Sequence, residues 1–226
     1  MSGVFVGGTD TGCGKTTVAA ALARTLRERG LRVRVLKPVE TGCRIEAGER
    51  IPEDALTLAR AAGDARPSAE LCPYPLLLPA APAVAAASEG VELELARIAA
   101  AHARAARDAD HVIVEGAGGL RVPLTAELDM LDLCLRLRLP LLLVARARLG
   151  TINHTLLSIS EAMRRGVRVC GVVINHAEGS LSAPDRENLG WLLRHCPAPV
   201  LGELPYARSG GSASASAIDW DRIWTT

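Results

Sequence analysis

The chain has 226 residues, of which 49% are hydrophobic and 3% aromatic, and it carries a formal charge of +1. That length can bury a sizeable core and reads as one domain, while near-neutrality leaves no basic surface of the size nucleic-acid binding needs. The longest apolar run, 139–145, is far short of the ~20 residues that span a bilayer, and "MSGVFVGG" lacks the pattern of a secretory leader, so no membrane association and a cytoplasmic location are expected.

In chain order, "VFVG" (4–7) predicts a strand, followed by a glycine-rich loop and an apolar-periodic helix over 15–29. "LRVRVL" (31–36) predicts the next strand, and helices are expected over 53–62 and 91–108. "HVIVE" reads as a strand over 111–115, with a helix over 127–138 and a strand at 139–145. A helix over 154–165, the strand "RVCGVVIN" (168–175), a helix over 185–195 and the strand "VLGEL" (200–204) complete the alternation. Strands alternating with helices imply right-handed crossovers, and apolar residues at successive strand positions imply burial on both faces. The expected class is therefore α/β, with a mostly parallel central sheet and helices on both sides. "ARSGGSASASA" (207–217) reads as a flexible segment, and 218–226 as a terminal helix or tail in which Trp220 and Trp224 share one face. Docking of that tail, or a lid over a site, are both compatible with the spacing.

Ligands of such sheets bind beyond the carboxyl ends of the strands. After the first strand comes "GGTDTGCGKTT", in which Lys15, Thr16 and Thr17 open a helix. Backbone N–H groups of the loop and the helix N-terminus make an anion site, Lys15 reaches terminal phosphates, and the Thr16 hydroxyl can ligate Mg²⁺. Counted from Gly8, five residues precede Gly14, one more than in the common phosphate loop. Lysine usage supports the assignment: among 26 basic residues only Lys15 and Lys37 are lysines, and a compact ammonium fits between phosphate oxygens where a planar guanidinium does not.

Lys37 ends the second strand in "VLKPVETG"; it is either solvated or a substrate or phosphate contact, with Thr41 and Gly42 close behind. Glu115 follows four apolar residues and precedes the glycine turn "GAGG", where an acid can face Thr16 across a cation. Asp54 can be a second metal ligand or merely a first-turn acid. "LGTINHTLL" offers Gly150, Thr151 and Asn153 before a helix, as a carboxylate site or as a helix cap. Asn175 at a strand end can pair with a base edge or serve a turn. The six cysteines are scattered without zinc spacing and read as reduced thiols.

Together, "GTDTGCGKT", "KPVETG", "VEGAGGLRVPL", "LGTINHTLL" and "LGELP" closely resemble, in the same order, the dethiobiotin synthetases of the deviant P-loop group. The resemblance implies a three-layer P-loop NTPase fold and an ATP-dependent cyclo-ligase that joins CO₂ to 7,8-diaminononanoate through a carbamate and a carbamic-phosphoric anhydride. It implies Lys15 and Lys37 as catalytic residues, with Thr16, Asp54 and Glu115 as Mg²⁺ ligands. Nucleotide contacts would come from Thr11, Gly12, Cys13, Gly14, Lys15, Thr16, Thr17, Glu115, Gly116, Ala117, Gly118, Asn175 and Pro205. Substrate contacts would come from Thr11, Lys37, Thr41 and Gly118. Gly150, Thr151 and Asn153 would act across a homodimer interface, and the apolar stretch 76–90 would cover the methylene chain. His176 stands where the family commonly has an acid, and "ELPYARSGG" matches only through Pro205, so a less strict choice of nucleoside triphosphate is expected. A nucleotide-driven switch of the partition-ATPase type is the rival reading, but its signature lysine is missing from "GTDTG". An ATP-dependent amidase would need a glutamine-hydrolysing domain for which the chain is too short.

Overall fold

The structure, a computed structural model, describes residues 2–177, 179, 181–206 and 218–225. The segment 207–217, expected to be flexible, lies outside the described residues. β1 (Ser2–Gly8) leads into α1 (Lys15–Glu28) and β2 (Val33–Leu36). Four short strands then surround two helices: β3 (Val39–Glu40), β4 (Arg44–Glu46), β5 (Glu49–Ile51), α2 (Glu53–Ala62), α3 (Ser68–Leu71) and β6 (Tyr74–Pro75). α4 (Pro82–Ser88) and α5 (Leu95–Ala106) precede β7 (His111–Gly119) and α6 (Met130–Leu137). β8 (Leu141–Arg146), α7 (Thr151–Arg164), β9 (Val169–Asn175), α8 (Ala183–His195) and β10 (Val200–Leu204) follow, and Trp220–Ile223 forms a 3₁₀ turn.

Six strands make one parallel sheet in the order β10-β9-β8-β1-β7-β2. Alternation along each strand divides the core into two layers. Phe5, Val112, Val114, Leu141 and Leu143 pack with α5, α6, α7 and α8 on one face. Val4, Val6, Ile113, Leu142 and Val144 pack with α1 and α2 on the other. This two-sided burial is why the strand segments are apolar at successive positions. Because β1 sits between β7 and β8, the chain changes direction across the sheet beside it, and the loop leaving β1 opens into that crevice.

Several boundaries differ from the expected ones. β7 runs past Glu115 to Gly119, because β1 pairs with it again beyond a bulge, with Val6 opposite Glu115, Gly8 opposite Gly119, and Gly118 at a φ of 64° between them. α6 starts at Met130 rather than 127, because Asp129 and Asp132 form a reciprocal capping box there. α5 begins at Leu95 rather than 91. The two-residue pair β3–β6 and the hairpin β4–β5 were not predicted; β4 is exposed at every residue and carries no alternating apolar pattern.

The 3₁₀ turn docks on the body. Trp220 is 2% exposed within the layer that holds Val4 and Leu201. Trp224 packs its ring 4.3 Å from that of His111, the first residue of β7, so the turn sits at the end of the sheet opposite the crevice. Among the described residues no helix is long and apolar enough to cross a membrane. The six cysteines are free thiols, and all but Cys196 are buried.

Candidate active site

The loop after β1 depends on glycine at two positions. Gly12 and Gly14 adopt φ of 71° and 90°, in the left-handed region, and a Cβ on Gly14 would lie 1.9 Å from Asn175 Nδ2. Asn175 is 3% exposed and donates from Nδ2 to the Cys13 carbonyl at 2.9 Å, so the end of β9 holds the loop from below. Gly14 is the N-cap of α1 and provides no side-chain acceptor, which leaves the first-turn N–H groups facing the crevice as an anion site. Lys15 is 6% exposed, and its Nζ donates to the Asp10 carbonyl at 3.2 Å.

Three further elements bring charge to this loop. Thr16 donates its hydroxyl to Glu115 Oε1 at 2.9 Å, from the start of α1 to the middle of β7. Lys37, just past β2, donates to the same Glu115 oxygen and to Asp54 Oδ2 at 3.0 Å, near the start of α2. Burial works to lower the Lys37 pKa, but the Glu115 and Asp54 carboxylates outweigh it and hold the ammonium above its usual range. Asp54 is pushed up by burial and down, by more, by Lys37 and Thr16, so it titrates below the usual carboxylate range. Glu40 behaves oppositely: burial raises its pKa despite backbone N–H bonds from Asp54 and Ala55.

The donor set fits a hard divalent cation. Glu115 is fully buried, and its Oε2 has no hydrogen-bond partner. Such an orphaned carboxylate oxygen, beside a hydroxyl and a second carboxylate, suits Mg²⁺, which usually takes one or two carboxylates and completes its shell with waters and phosphates. Among the described residues no group of three or more His, Cys, Asp or Glu could hold a metal, so a site built wholly from such side chains is not offered.

These groups line a cavity of about 330 Å³ together with Thr11, Gly12, Gly14, Thr17, Glu40, Thr41, Ala117 and Gly118. Thr11 and Gly118 adjoin: a Cβ on Gly118 would be 3.4 Å from Thr11 Oγ1. Cys13, Gly116, Asn175 and Pro205 do not line this cavity. Cys13 is buried under the loop, Gly116 faces the Phe5 ring, and exposed Pro205 follows Leu204, the last residue of β10, which pairs with Asn175. Gly150, Thr151 and Asn153 are also elsewhere, at the start of α7. Gly150 and Asn153 line a groove of about 450 Å³ with Leu149, Ile152, Leu156 and Leu157. α7 begins at Thr151 with Gly150 as its N-cap, so Asn153 lies within the first turn and does not cap it. Glu40, hidden in "KPVETG", was not singled out from the sequence. The signal available was "IPEDAL": a helix starting after Pro52 has no cap of its own and must borrow one.

A parallel sheet of this order, with a lysine-bearing glycine loop between its central strand and the next helix, defines the P-loop NTPase class. Solved structures agree on the fold. The cell division protein FtsY of Thermotoga maritima gives a TM-score of 0.54 at 17% identity, over 100% of this chain and 69% of that one. The MinC:MinD cell division protein complex of Aquifex aeolicus gives 0.54 at 11% identity, over 92% and 82%. A family model described as an AAA domain matches residues 2–213. The ATP-dependent dethiobiotin synthetase BioD of Anaeromyxobacter dehalogenans is 52% identical over 97% of this chain and 100% of its own length. The protein of the same name from Aromatoleum aromaticum is 44% identical over 94% of each chain. The chain belongs to the ATP-dependent dethiobiotin synthetase family.

Proposed function

We propose that the chain carboxylates 7,8-diaminononanoate with CO₂ and closes the ring with ATP, giving dethiobiotin, ADP and phosphate. One amine adds to CO₂ to form a carbamate. A carbamate oxygen then takes the terminal phosphoryl group of ATP, forming a carbamic-phosphoric anhydride. The neighbouring amine attacks its carbonyl carbon and displaces phosphate, so one C–N bond forms as one C–O bond breaks.

The observation that carries this reading is the meeting of Lys37, Thr16, Asp54 and Glu115 beside the glycine loop. Phosphoryl transfer to a carbamate gathers negative charge on oxygens, and fixed cations in a partly dry cavity stabilise it most. Lys15 holds the terminal phosphates, and Lys37 faces the carbamate and the transferred phosphoryl group. Thr16, Asp54 and Glu115 hold Mg²⁺, which when bound neutralises phosphate charge. Thr11, Thr41 and Gly118 take up the diamine end of the substrate on the same wall. The chain acts as a single domain and as a homodimer, in which Gly150, Thr151 and Asn153 of the second subunit receive the substrate carboxylate. Support for that comes from the apolar surface around them, where Leu149 is 74% and Leu157 61% exposed. The free thiols fit the reducing cytoplasm. Asn175 and Pro205 adjoin the base; His176, paired with Glu203 at 2.7 Å, replaces an acid there and relaxes nucleotide choice.

The test mixes purified protein with Mg-ATP, bicarbonate and 7,8-diaminononanoate, and follows dethiobiotin by mass together with phosphate, omitting one component at a time. Product formed only with every component present is expected. Phosphate release that ignores the diamine and yields no product would turn the reading towards a nucleotide switch.

A further inference from the structure

α2 starts without a cap of its own. Its N-cap residue is Pro52, which has no side-chain acceptor, yet the N–H groups of Asp54 and Ala55 in the first turn are both satisfied. Their acceptors are the two carboxylate oxygens of Glu40, at 2.9 and 3.0 Å. Glu40 is 7% exposed and lies at the end of β3, on the short stretch that begins with Lys37. Its own backbone is fixed, because β3 pairs with β6 and the Glu40 carbonyl accepts from Leu76 N at 2.7 Å. The stretch from Lys37 to Glu40 therefore grips Asp54 twice. The Lys37 ammonium meets its carboxylate, and the Glu40 carboxylate meets its amide.

We propose that Glu40 is a positioning residue: it registers Asp54 against Lys37 and Glu115, so that the two carboxylates on the cavity wall are already in place when a divalent cation binds. The inference rests on the reading of Asp54 as a metal ligand. Each Glu40 oxygen is engaged by a backbone donor, and in this proposal direct contact with the cation belongs to Asp54, Glu115 and Thr16. A group that orients a ligand in this way affects metal affinity by about 10–100-fold without touching the metal. A helix cap that served stability alone could equally come from the helix's own N-cap position, and that difference separates the two roles.

The experiment titrates Mn²⁺, as a paramagnetic probe, into full-length protein with ADP, and reads free Mn²⁺ by electron paramagnetic resonance. The variants are Asp54→Asn, Glu40→Ala, Glu40→Gln and the double variant Glu40→Ala/Pro52→Ser, each with its thermal midpoint recorded. Asp54→Asn and Glu40→Ala are expected to weaken Mn²⁺ binding by about 10–100-fold. Glu40→Gln should fall between them and wild type, since a carboxamide oxygen accepts where its NH₂ repels. In the double variant, the serine that replaces Pro52 should recover the thermal midpoint by capping α2 from its own chain, but not the Mn²⁺ affinity. Recovery of both by the double variant, or wild-type affinity in folded Glu40→Ala while Asp54→Asn is weakened, overturns the role of Glu40. Wild-type affinity in Asp54→Asn instead overturns the metal-ligand reading itself, and the proposal with it. If Glu40→Ala does not fold, Glu40→Gln decides, and unchanged Mn²⁺ binding there counts against the proposal.

Discussion

Lys37 Nζ and the Glu115 carboxylate form an ion pair whose side chains are 4% and 0% exposed, at the foot of the cavity that the glycine loop opens. Removing one partner of a buried pair leaves an uncompensated charge, at a cost of roughly 3–5 kcal/mol. Lys37→Gln should therefore fold but unfold at lower temperature, and its turnover should drop by about 10³-fold for want of a cation at the transferred phosphoryl group. Adding Mg²⁺ with ADP should restore part of the lost stability, because a cation then faces Glu115 again. Near-normal turnover would remove the role given to Lys37.

Gly14 is constrained by its φ of 90° and by Asn175 Nδ2, which a Cβ would meet at 1.9 Å. Gly14→Ala must displace either the loop or the amide that supports Cys13. A non-glycine residue held in that backbone region costs about 1–3 kcal/mol. ATP affinity by calorimetry should fall by at least about tenfold, with the thermal midpoint lowered as well. If Asn175→Ala in the same chain returned full affinity, the clash would be the whole effect and backbone strain would contribute nothing.

The parallel sheet and its loop were legible because they rest on local rules. Successive apolar residues mark strands buried twice, as in Leu141 to Ala145, and glycine before Lys15-Thr16 marks the anion site. Most of what was not legible depends on distant partners. Glu115 was expected to end its strand, but β1 pairs again with Gly119 beyond a bulge and carries the strand on. α7 was expected to start at 154, but Gly150 at a φ of 93° turns the chain into helix at Thr151. Asp54, open between cap and ligand in the sequence, contacts Lys37 from another element. Glu40 is hidden for the same reason, since it caps a helix 14 residues away.

Asp64 has a fully buried side chain held by Arg66, Arg34 and the Val35 N–H at 2.7, 3.0 and 3.2 Å. Burial pushes its pKa up, but these partners push it further down, so the folded carboxyl titrates below the unfolded value of about 3.9. A depressed carboxylate contributes stability that is complete above the unfolded pKa and fades as pH falls through the folded one. Asp64→Asn should cost about 3 kcal/mol at pH 7, by taking the carboxylate from Arg66 and leaving Arg34 with Asp108 alone. Thermal unfolding as a function of pH should bring wild type and variant progressively together below about pH 4. A gap that persists unchanged into acid would mean that packing, not charge, sets the difference.

Trp220 is buried at the end of the sheet away from the cavity, and its indole N–H has no hydrogen-bond partner. Trp220→Ala should destabilise the fold by about 3–5 kcal/mol through the cavity it leaves. Trp220→Phe should cost less, since no bond to the indole is lost. Neither should alter kcat/KM under conditions where the protein stays folded. A selective loss of activity would bring back the lid reading of the terminal turn.

Lys37 and Asn153 lie in different hollows of one subunit, the first in the phosphate cavity and the second in the groove at the start of α7. If the substrate spans two subunits, its diamine end meets Lys37 of one and its carboxylate meets Asn153 of the other. Lys37→Gln and Asn153→Ala should then each be weak alone. When equal amounts are mixed and allowed to exchange, half of the dimers are mixed, and each mixed dimer has one site with both native residues and one with neither. Activity should recover to about a quarter of wild type by this symmetry. Recovery that is absent, although exchange is confirmed by mass, would place both residues in the same subunit's site or remove Asn153 from it. Leu157→Arg, which puts a charge on the exposed apolar face beside the groove, should lower both sedimentation size and activity, and should block the recovery as well.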